Sequence, residues 1–82
     1  MINWKGVIMD FLGTRPFVPF TIFPSEGMEW TIEHPECLRI MDEYDGFDVM
    51  NHDGDQELFR WHEITYITNG VWSVGEMPTC GG

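Results

Sequence analysis

Trp4, Val7, Ile8, Phe11 and Leu12 recur at the three- and four-residue spacing of an amphipathic helix, and Asn3 stands before them as a cap. Gly13 ends that stripe, so the spacing predicts a short helix over 4–12. Beyond it the period falls to two. Met28, Trp30 and Ile32 alternate with Glu29, Thr31 and Glu33, the signature of a strand with one wet face. Together with the run 15–23 and the turn Pro24-Ser25-Glu26-Gly27, this predicts a β-hairpin. Pro16 and Pro19 hold the connector extended, which places Phe17 and Phe20 at the joint between helix and sheet.

Further strands are predicted over 37–41, 47–50, 56–61 and 64–67, with a last edge strand over 71–74. Asp45-Gly46, the acidic turn 51–55 and Asn69-Gly70 punctuate them. The segment after Pro35 also suits a short helix, but alternation of Leu38 and Ile40 favours a strand. The sum is a mostly β, α+β domain over 1–74: an N-terminal helix and a five- to six-stranded antiparallel barrel of the SH3-like or Sm-like type. The alternative is a β-grasp arrangement with a helix over 35–44. Residues 75–82 read as a flexible tail.

The stretch Arg15-Pro16-Phe17-Val18-Pro19-Phe20-Thr21-Ile22, then Gly27, then His34-Pro35-Glu36, resembles a pattern found in short uncharacterised bacterial proteins, many of them from planctomycetes. There an RPFxPFxI segment, a glycine-containing turn and an HPE triplet follow a brief helix. The resemblance covers about residues 7–41 and weakens through Ile67. It implies a shared fold and brings no activity with it. The chain departs from the pattern at Cys37-Leu38-Arg39, in the acidic turn that follows, and in its Trp-bearing end.

Charge sharpens the functional reading. Fourteen carboxylates stand against Lys5, Arg15, Arg39 and Arg60, a formal net charge of −10. Such a chain repels nucleic-acid phosphates and steers basic partners toward itself. The expectation is a non-catalytic, acidic protein-binding module or inhibitor, with Asp42, Glu43, Asp45, Asp48, Asp53, Asp55 and Glu57 as its acidic face. That choice supposes that the two turns carrying them lie at the same end of adjacent hairpins. A shell of this kind can stand in for nucleic-acid charge, as small viral inhibitors of host defence do. Four Trp among 82 residues are more than so small a core encloses, which makes Trp61 and Trp72, beside Arg60, an aromatic patch. The same patch supports a second reading, a nucleotide-like ligand pocket formed between oligomer subunits. Gly81-Gly82 supports a third, a ubiquitin-like or sulfur-carrier protein.

Catalytic and metal signatures are weak. His34, Cys37, His62 and Cys80 form a zinc-type set with poor spacing. Aligning Gly54 with the invariant glycine of a calcium loop puts Val49 and Arg60 at ligand positions. Ser25 and Ser73 have no nucleophile elbow around them, and Cys37 is expected in the core. No cofactor or metal is expected. Two cysteines do not make a disulfide framework, and no leader or membrane-length apolar run is present, so the expected setting is the cytoplasm.

Overall fold

In the computed structural model, residues 2–25, 29–51 and 53–75 are described. Helix α1 spans Trp4–Gly13. Asn3 caps it, its Oδ1 accepting from the Gly6 amide at 3.2 Å. Ten residues are too few for a stable isolated helix in water, and α1 is held by burying Ile8 and Phe11 completely. Phe20 lies 5.2 Å from Phe11 and 6.1 Å from Phe17, so the predicted aromatic joint between helix and sheet is present.

Seven short strands follow: β1 Phe20–Pro24, β2 Trp30–Ile32, β3 Leu38–Met41, β4 Gly46–Met50, β5 Gln56–Arg60, β6 Ile64–Thr68 and β7 Ser73–Gly75. They form two antiparallel sheets, one of order β2-β1-β6-β7 and one a β3-β4-β5 meander. The protein is a small, mostly β, α+β domain. The predicted hairpin pairs Phe20 with Ile32 and Ile22 with Trp30. Pro24 belongs to β1 rather than to the turn, opposite Ile64 after a register shift. Residues 26–28, which carry the rest of that turn and Met28, lie outside the described residues.

The strand reading of 37–41 holds from Leu38 onward, Cys37 belonging to the preceding turn, and the helix over 35–44 does not form. Pro35–Cys37 and Asp42–Tyr44 are single 3-10 turns on either side of β3. Pro35 supplies the fixed φ that starts such a turn, and the β-grasp alternative loses its defining helix. A third 3-10 turn, Trp61–Glu63, joins β5 to β6. Gly75 lies in β7, one residue beyond the predicted domain. The remainder of the predicted tail, 76–82, is outside the described residues.

Between the sheets lie Phe20, Ile22, Ile32, Leu38, Phe47, Val49, Phe59, Ile64 and Ile67, with Ile8 and Phe11 of the helix completing one cluster. Among the described residues no polar or charged side chain is buried. Gly46 shows how closely β4 and β5 approach. A methyl group there would collide with the Phe59 carbonyl oxygen and lie 2.9 Å from the Arg60 Cα. The left-handed residue of the turn is Asp45, at φ 55°, so Gly46 serves packing and its neighbour serves the turn.

Candidate functional site

Strand alternation sorts the β3-β4-β5 meander into two faces. Phe47 and Val49 of β4 point into the core, with Ile40, Leu38 and Phe59 opposite them. The other face carries Arg39 and Met41 of β3, Asp48 and Met50 of β4, and Leu58 of β5. Tyr44, Met50 and Leu58 remain 48%, 41% and 47% exposed, so a layer of apolar side chains stands in water on this sheet. Met41, Tyr44, Asp48, Gln56, Glu57 and Leu58 line a shallow depression of about 400 Å³ upon it.

The carboxylates chosen from the sequence are spread along this sheet and over both of its ends, with Asp48 in its middle, instead of gathering at one end. In a meander, consecutive connections must leave a strand from opposite ends. Asp42, Glu43 and Asp45 precede β4, whereas Asp53 and Asp55 follow it. The five residues of β4 separate the two turns by roughly 17 Å at about 3.3 Å per residue. The expectation that both turns share an end is therefore corrected. Members of the set are already engaged: Asp42 accepts from Lys5 Nζ at 2.7 Å, and Asp48 accepts from Arg39 Nη2 at 3.1 Å. Asp55 accepts from Asn51 Nδ2 at 3.3 Å, while Asn51 Oδ1 takes the amides of Asp53 and Asp55 at 3.0 and 2.9 Å. These Asx-type hydrogen bonds from Asn51 tie down the backbone that carries Asp53 and Asp55.

The aromatic patch divides. Trp61 packs on Phe47 at 5.0 Å and lines a cleft of about 560 Å³ with Ile2, Asn3, Trp4, Lys5, Asp45 and His62. Trp72 stacks on Phe11 at 4.3 Å, seven residues further along α1 than Trp4. Arg60 lies in β5, where its amide donates to Glu63 Oε1 at 3.2 Å. Neither Arg60 nor Trp72 lines the cleft that holds Trp61. What sequence reasoning missed is Trp4, which it assigned to a docking stripe and which faces this cleft. Its place at the first helical position, beside exposed Ile2 and Asn3, was the available signal.

His34 is exposed, Cys37 is half-buried against the core, and His62 lines the cleft. Cys80, like Gly81-Gly82, lies outside the described residues. Among the described residues no group of three or more His, Cys, Asp and Glu is placed to hold a metal ion, and no helix is long and apolar enough to cross a membrane. Compared with known proteins, the chain matches no family model, no curated protein and no solved structure.

Proposed function

We propose that this chain is a non-catalytic binding module of the small SH3-like or Sm-like barrel type that engages a basic protein segment on the outer face of β3-β4-β5. The observation that carries this reading is the apolar layer of Tyr44, Met50 and Leu58 with acidic turns at both of its ends. Exposed apolar area framed by charge is a common form of protein-docking surface. The net charge of −10 selects the sign of the partner. Arg39 and Asp48 neutralise each other in the middle of the face, so the centre suits apolar side chains and the ends suit Lys or Arg. Because β3 and β5 end their sheet, an extended segment can also add to it as a further strand.

The test uses a short synthetic peptide alternating Lys and Leu, with a Glu–Leu peptide of equal length as control. Titrated into isotope-labelled protein, the Lys–Leu peptide should shift the amide signals of Met41, Asp48, Met50 and Leu58 and bind more weakly as sodium chloride is raised. Leu58→Lys should weaken binding by about tenfold or more, the range of an interface anchor. Equal binding of the Glu–Leu peptide, or unchanged binding by the Leu58 variant, overturns the proposal.

A further inference from the structure

The cleft beside the start of α1 shares no lining residue with the depression on the outer sheet face, and its chemistry is different. Two aromatic residues, Trp4 and Trp61, and an acidic one, Asp45, all line it. The Trp61 amide donates to the Asp45 carbonyl at 3.2 Å, and the Asp45 amide donates to the Asp42 carbonyl at 3.1 Å, so one backbone network ties the two residues together. Packing of Trp61 on Phe47 holds the indole from behind. Among the described residues no cation pairs with Asp45.

We infer that this cleft is a binding site for an organic ammonium ion, with Trp4 and Trp61 presenting their π-faces and Asp45 supplying the counter-charge. An aromatic face attracts a cation through its quadrupole, and most strongly when the cation is partly desolvated between two rings. Lys5 also lines the cleft, but its ammonium is neutralised by Asp42 at 2.7 Å. Lys5, Asp42 and Asp45 together carry one net negative charge. An anion would look to the amides of the helix start. There the Gly6 amide donates to Asn3 Oδ1 and the Trp4 amide to the Ile2 carbonyl. The site stands independently of the outer face, whose failure to bind peptides would leave it intact.

Choline chloride is the probe, compared with its uncharged isostere in which carbon replaces the quaternary nitrogen. Choline should saturably shift the indole N–H signals of Trp4 and Trp61 and leave those of Trp30 and Trp72 in place. The isostere should bind about fivefold or more weakly, the share expected of a cation–π contact. Asp45→Asn removes the charge while asparagine tolerates the left-handed backbone, so choline affinity should drop severalfold with an unchanged melting temperature. Equal binding of the isostere, no saturable response to choline, or displacement of the same two indole signals by inorganic phosphate instead would each overturn the assignment.

Discussion

At the level of single residues, the two glycines most different in their surroundings make opposite demands. Gly46 faces the Phe59 carbonyl across the β4–β5 pair with no room for a methyl group, so Gly46→Ala should destabilise the fold by about 1–3 kcal/mol, the usual cost of overpacking. Gly13, the last residue of α1, has open space around a built Cβ. Gly13→Ala should therefore stabilise by about 0.5 kcal/mol, chiefly by restricting the unfolded chain. Urea denaturation of the two variants checks both signs. Read from sequence, Asp45-Gly46 looks like a turn signal in which glycine supplies the positive φ. The glycine is needed for a contact with a residue thirteen positions away, and local pattern carries no trace of that.

At the level of elements, the β6–β7 connection shows how one side chain organises a turn. Asn69 Oδ1 accepts from the amides of Val71 and Trp72 at 3.0 and 2.8 Å, and the turn it shapes delivers Trp72 onto Phe11. Asn69→Ala should cost about 0.5–1.5 kcal/mol, the net worth of exposed hydrogen bonds whose amides water can still satisfy, and make the Trp72 indole more accessible to acrylamide. Asn69→Asp keeps the acceptor and should lose less. Turns of this kind were legible: Asn69-Gly70 and the loop beginning at Asn51 fall where their residue types predict. So were α1 and the alternating strands, because burying one face fixes their period. The paired acidic turns were misplaced for a different reason. Each was recognised, but their mutual position follows from the sense of travel along β4 rather than from any residue in them. Of the grouped Arg60, Trp61 and Trp72, Trp61 packs on Phe47 and Trp72 on Phe11, and the cleft that Trp61 lines includes neither Arg60 nor Trp72. Trp4 and Trp61, far apart in sequence, come to line one cleft only through packing of α1 against the 3-10 turn Trp61–Glu63.

For the molecule as a whole, self-repulsion is the dominant electrostatic fact. Fourteen carboxylates and four cations share 82 residues, and of the ion pairs seen among the described residues Lys5–Asp42 joins two exposed side chains while Arg39–Asp48 has one exposed and one half-buried partner. Exposed pairs contribute little, and repulsion among the remaining carboxylates is screened as the Debye length shrinks from about 10 Å at 0.1 M salt to about 3 Å at 1 M. The melting temperature should therefore rise with sodium chloride, by about 4 °C for each kcal/mol of repulsion removed in a domain of this size. A fall would mean that the two bridges outweigh the surplus charge. The same salt should weaken peptide binding, so stability and affinity should move in opposite directions along one titration.

The short meander strand β4 also behaves as a ruler. Its five residues hold the two acidic poles roughly 17 Å apart, a gap that an extended ligand crosses in about five residues of its own. Ligands whose positive clusters sit closer together can satisfy a single pole only. Affinity plotted against the spacing between clusters should accordingly step upward near that length instead of climbing smoothly with total charge, and a smooth climb would show that the poles are read as a diffuse cloud.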